Sequence, residues 1–119
     1  MDLKNITEEI LKKNKEMDEI RKVIKQRTND KAEKDAEYDR VLAVTIVRLL
    51  NNDEMEIEGN KITGVKATNV EKIARGICWK EKLEMEKAEG LLKSAVSNLK
   101  SVETQISSLQ SINRHLDMV

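Results

Sequence analysis

Proline and phenylalanine are absent from this chain, and Cys78, Trp79, Tyr38 and His115 are each the single residue of their kind. Without proline, nothing in the sequence forces a helix to stop or kink. One cysteine excludes an internal disulfide and supplies no zinc site by itself. Aromatics make up 2% of 119 residues, too few for a thick globular core. Net charge is missing too: Lys plus Arg and Asp plus Glu stand at 22 each, which removes the global reason to expect nucleic acid or membrane binding. No apolar run approaches a bilayer span and nothing at the N-terminus resembles a signal peptide, so a soluble cytoplasmic protein is expected. A Gly-rich phosphate loop, a Ser/His/Asp set and Cys/His ligand spacing are all lacking. No enzyme activity, metal or cofactor is expected.

What remains is 39% hydrophobic and 37% charged residues, a mixture that suits narrow helix–helix seams. Two apolar repeats with three-four spacing run in from the ends. The first holds Leu3, Ile6, Ile10, Met17, Ile20 and Ile24; the second holds Ala95, Leu99, Val102, Ile106, Leu109 and Leu116. As heptads, the first arm has one column of Leu3, Ile10, Met17, Ile24, Lys31, Tyr38 and Thr45. Its companion column is Ile6, Lys13, Ile20, Arg27, Lys34, Val41 and Arg48. The stretch from Arg27 to Asp39 is almost wholly polar, yet no Pro or Gly interrupts it, and a continuous helix or one with a local kink is expected there. From Val41 to Leu50 the chain becomes apolar on nearly every side, which implies burial against more than one neighbour.

Between the arms, Met55, Ile57 and Ile62 alternate with charged residues around Gly59-Asn60. A Gly-Asn pair between two alternating runs predicts a β-hairpin, because Gly accepts the positive φ of a tight turn. Asn51-Asn52 supplies an exit from the first helix. Thr68 and Glu71 have the spacing of a capping box that opens the second arm. Folding at Gly59-Asn60 sets Leu3 against Leu116, Ile10 against Leu109 and Ile20 against Leu99. The fold class is therefore mainly α: a long antiparallel, coiled-coil-like helical hairpin with a short β-hairpin at its tip. It is read as a single domain over 1–119, with a helical arm over 3–50, a β-hairpin over 53–66 and a second arm over 68–118. So slender a structure buries little surface alone, and a homo-oligomer is expected.

Gly76 and Gly90 sit inside the second arm as weak points or as places where another backbone approaches. From Ser94 to Asn113 charge falls to Lys100 and Glu103 while Ser and Gln become frequent, the composition of an interface that permits close packing. Cys78 reads as a buried small side chain more readily than as a reactive thiol. His115 suits the last turn of a helix, where its charge meets the dipole. Trp79 and Tyr38 are the aromatic candidates for contacting a partner or ligand. Arg21, Lys22, Lys25 and Arg27 head a basic stripe that would contact phosphates in a salt-dependent way. No aromatics interleave it, so it reads first as a charged helix exterior.

Two segments, EYDRVLAVTIVRLL and the run from ATNVEKIARGICWK to INRHL, resemble small uncharacterised helical proteins encoded by phages and prophages of low-GC Gram-positive bacteria. The resemblance implies a viral protein in the host cytoplasm, acting on nucleic-acid metabolism or against a host defence. The order helix, β-hairpin, helix is also similar in architecture to prefoldin β-type subunits. The expected function is a non-enzymatic oligomeric binding protein of counter-defence type, directed at a host protein or a small signalling ligand. The alternatives are a nucleic-acid accessory factor in phage replication or recombination, and a prefoldin-like holdase chaperone.

Overall fold

The computed structural model describes residues 2–118. Helix α1 runs without a break over Leu3–Leu50, and strands β1 (Met55–Ile57) and β2 (Asn60–Ile62) follow. One turn of 3-10 helix over Ala67–Asn69 leads into α2 (Val70–Ile77), and α3 spans Trp79–Asp117. The fold is thus mainly α with one two-stranded antiparallel hairpin, as the periodicity predicts. Its contacts group into two compact units. Among the described residues, one comprises 2–29 and 90–118, the other 30–89.

In the first unit, α1 and α3 share the predicted seam. Ile20, Val102 and Ile106 are buried together, with Met17, Ile24 and Leu99 packed against them. Ile6 is fully enclosed as well, whereas Leu3, one turn earlier, is exposed and does not join the seam. Asp2 begins α1 by accepting a hydrogen bond from the Asn5 backbone N–H at 2.9 Å, which satisfies one of the helix's free donors.

The second unit is built around Leu49, Val70 and Ala74, with Leu42, Ile46, Met55, Val65, Ile73 and Ile77 packed on them. The β-hairpin therefore has a helix surface beneath it through Met55, which a lone two-stranded ribbon needs. Helix α1 ends in a Schellman turn. Asn52 takes a φ of +59°, and the Asn52 and Asp53 N–H groups donate to the Leu49 and Arg48 carbonyls at 3.1 and 3.0 Å.

Five expectations need correction. The companion heptad column holds as far as Arg27, but Lys34 and Arg48 are exposed; Asp35, Leu42 and Leu49 take over the inward positions. The cause is helix geometry: a straight helix drifts about 20° per heptad, so about five heptads displace the inward face by one residue.

The second arm is not one helix from residue 68. It is interrupted at Cys78, whose ψ of 23° departs from helical values, although the Cys78 N–H still reaches the Ala74 carbonyl at 3.0 Å. The capping box does not form: Thr68 lies inside the 3-10 turn, Asn69 holds the N-cap position of α2 without a side-chain bond, and Glu71 turns outward to Arg75 at 2.6 Å.

The two-residue turn is Glu58-Gly59, with φ of +49° and +81°. Asn60 is the first residue of β2 and pairs with Ile57, while Met55 pairs with Ile62. Finally, a Cβ added at Gly76 or Gly90 would meet nothing within 4 Å, so neither glycine marks a backbone approach within this chain.

Candidate interaction surface

The residues singled out from sequence fall into three environments. The first is enclosed. Cys78 is fully buried, and its Sγ lies 3.4 Å from the hydroxyl of Thr45, also buried, so the thiol is a packing element of the second unit. Tyr38 is buried as well and has the Lys82 ammonium 5.3 Å from its ring centroid, a cation–π contact between α1 and α3. Tyr38 is therefore occupied by its own chain and offers no open ring face for ligand stacking.

The second environment is the charged exterior. Arg21 pairs with Asp18 and Lys22 with Glu19, both at 3.1 Å, which neutralises the front of the basic stripe. Lys25 is exposed and Arg27 half-buried. Across the polar middle of α1 the Lys31 ammonium meets Asp35 at 2.6 Å. That hydrogen bond, with the attraction of Asp35 and then Glu89, raises the pKa of Lys31. Glu37 and Arg40 pair at 2.9 Å, and the hydrogen bond from Arg40 lowers the pKa of Glu37. Each pair sits three or four residues apart on one helix face, where opposite charges steady a helix that lacks an apolar stripe. These pairs explain why the Arg27–Asp39 stretch stays helical.

The third environment is apolar and exposed. On α1, Val44, Val47 and Leu50 are 48%, 56% and 55% exposed, and Ala43 and Arg48 line a shallow groove with the two valines. The all-round apolar stretch noted from Val41 to Leu50 thus divides: Leu42, Ile46 and Leu49 enter the core, and the opposite face has nothing on it. On α3, Trp79 and Leu83 are exposed one turn apart, with the Lys80 ammonium 5.6 Å from the indole ring. An exposed tryptophan is a common anchor of protein interfaces, and a neighbouring aliphatic side chain adds apolar contact area to it. The sequence signal for the α1 face was its β-branched run without a polar side. Charge pattern alone gave no means of telling which half would be covered.

No metal-holding group of His, Cys, Asp and Glu occurs among the described residues, and none of their helices is long and apolar enough to cross a membrane. Comparison with protein-family models, curated proteins and solved structures gives no match to this chain.

Proposed function

We propose that this chain is a non-enzymatic interaction protein that works as an oligomer and holds a partner through the apolar faces of its second unit. The observation that carries this reading is the Val44, Val47 and Leu50 face of α1, three aliphatic side chains each about half exposed on one side of a helix in a chain with few buried residues. Apolar surface kept in water at that density is costly unless something covers it, and each such side chain contributes roughly 1.5–3 kcal/mol when fully buried. Trp79 and Leu83 extend the apolar surface of the same unit. Taken with the resemblance to phage proteins, the partner is read as a host protein or a host signalling ligand.

The test is affinity capture from host cells, run in parallel with the native sequence and a Val44→Glu, Val47→Glu double variant. A partner recovered by the native chain and lost by the variant, with equal thermal midpoints by circular dichroism, is the expected result. Recovery of the same partner by both would remove this face from consideration. The basic stripe is not favoured as a nucleic-acid contact, because Asp18 and Glu19 already hold Arg21 and Lys22.

A further inference from the structure

The uncharged stretch of α3 has an order of its own. Taken at steps of three and four residues, it reads Leu91, Ser94, Asn98, Ser101, Gln105, Ser108 and Ile112, all exposed and all on one helix face. The chemistry is palindromic: an aliphatic residue at each end, serines inside them, an amide on each side of the centre, and Ser101 at the middle. The remaining charges of this stretch, Lys93, Lys100 and Glu103, fall by the same spacing on the other flank of the helix. In the same unit, α1 carries charges from Asp2 to Arg27.

We propose that this face pairs antiparallel with the same face of a second copy, about a twofold axis through Ser101. The proposal rests on the oligomeric reading above and deepens it by naming the surface. Under that axis Leu91 meets the copy of Ile112, Ser94 meets Ser108, Asn98 meets Gln105, and Ser101 meets itself.

Three arguments select a second copy over another occupant. On a twofold interface a charged group at the axis meets its own copy, and one off the axis needs an opposite charge at its mate's position; this strip has no charge at either kind of position. Hydroxyls and carboxamides both donate and accept hydrogen bonds, so each can satisfy its mate across the axis without a complementary partner. Leu91 and Ile112, at 47% and 45% exposed, place apolar contact at both ends of the strip, where an antiparallel pairing brings them together.

Area supports the same conclusion. The chain exposes 8622 Å², against about 6,600 Å² for a compact monomer of 13.6 kDa. A standard interface takes about 800 Å² from each partner, well inside that surplus. The face also borders two shallow grooves between α1 and α3, one with Val23 beside Leu91 and Asn98, the other with Lys13 beside Gln105 and Ser108. Arg27 also lines the first groove and Glu9 the second, so charge lies along the α1 border of the strip and not on the strip itself.

The experiment measures the mass of the full chain by light scattering coupled to size exclusion, from about 1 to about 100 μM, a range that brackets a Kd of ordinary strength for an interface of this size. The native chain is expected at twice 13.6 kDa. Ser101→Glu, which sets two carboxylates together at the axis, is expected at the monomer mass with its helical circular dichroism unchanged. Two double variants then test direction. Ser94→Lys with Ser108→Lys brings like charges together and is expected to be monomeric. Ser94→Lys with Ser108→Glu brings opposite charges together in the antiparallel pair and is expected to stay dimeric; in a parallel pair it would separate. If the native chain is oligomeric and every variant keeps its mass, this surface is wrong while the oligomeric reading stands. A native chain monomeric throughout overturns both.

Discussion

Glu58 holds a φ of +49° beside Gly59 at +81°, the pair of left-handed residues that a tight two-residue hairpin turn requires. An L-residue other than Gly, Asn or Asp is strained there by roughly 1–2 kcal/mol, and Asn relieves much of that strain through its short polar side chain. Glu58→Asn should therefore raise the unfolding free energy by about 0.5–1 kcal/mol, read from urea denaturation followed by circular dichroism. The reverse outcome would mean that Glu58 makes a compensating contact. Cys78 gives a second residue-scale expectation. Its thiol is fully buried and set against Thr45, so a water-soluble disulfide reagent should react at the slow rate of local opening, and at full speed only in denaturant. Fast modification of the native protein would contradict the enclosure of Cys78. The burial of Cys78 was legible beforehand, because no His or second Cys stands beside it to make a reactive thiol; the turn was legible only to within one residue, shifting from Gly59-Asn60 to Glu58-Gly59.

At the scale of elements, the two helices of the first unit rest on a narrow seam. Ile106 is one of three buried residues in this cluster, with Met17, Ile24 and Leu99 packed around them, so Ile106→Ala removes a large share of that contact. A loss of about 2–5 kcal/mol is expected, measured as a lower urea midpoint. A loss below that range would show that the seam closes over the gap. The polar middle of α1 responds to pH in a defined direction. Glu37 is held below its ordinary pKa, so its contribution is present above the carboxylate range and is lost as pH falls through the lowered value. Lys31 is held above its ordinary pKa, so its contribution is complete below the lysine range and is lost as pH rises through the raised value. The Glu37–Arg40 pair is solvent-exposed and the Lys31–Asp35 pair half-buried within one helix, and both are small in effect. The thermal midpoint should be flat from about pH 6 to about pH 9, with shallow declines outside it, the acid one removed by Glu37→Gln. A step inside that window would require another titrating group. At this scale the heptad columns were readable from sequence, because a repeated apolar spacing has one helical interpretation. The one-residue slip beyond Arg27 was not, since it accumulates from the mismatch between 3.6 and 3.5 residues per turn.

For the whole molecule, surface is the governing quantity. A chain that exposes 8622 Å² and buries few large side chains gains stability from association that grows with the logarithm of its concentration. Its thermal midpoint should accordingly rise with protein concentration, and a scan from micromolar to submillimolar protein by calorimetry checks this directly. The Ser101→Glu variant should lose the dependence, while the Val44→Glu, Val47→Glu variant should keep it, which separates the self-pairing face from the partner-binding one. A midpoint independent of concentration in the native chain would argue against association in the folded state.

The amino-acid sequence by itself determined that this protein is helical, where its two arms carry their apolar stripes, and that a β-hairpin lies between them. Each follows from local spacing: three-four repeats bury one side of a helix, and alternation around a glycine turns a strand back. Only the tertiary structure decided which face of the Val41–Leu50 run is covered, that the ring of Tyr38 is taken up by Lys82, and that the second arm is interrupted at Cys78. Those outcomes depend on which neighbour arrives at each side of a helix. The palindromic strip on α3 needed both: its order was written in the sequence, and its exposure had to be seen in three dimensions.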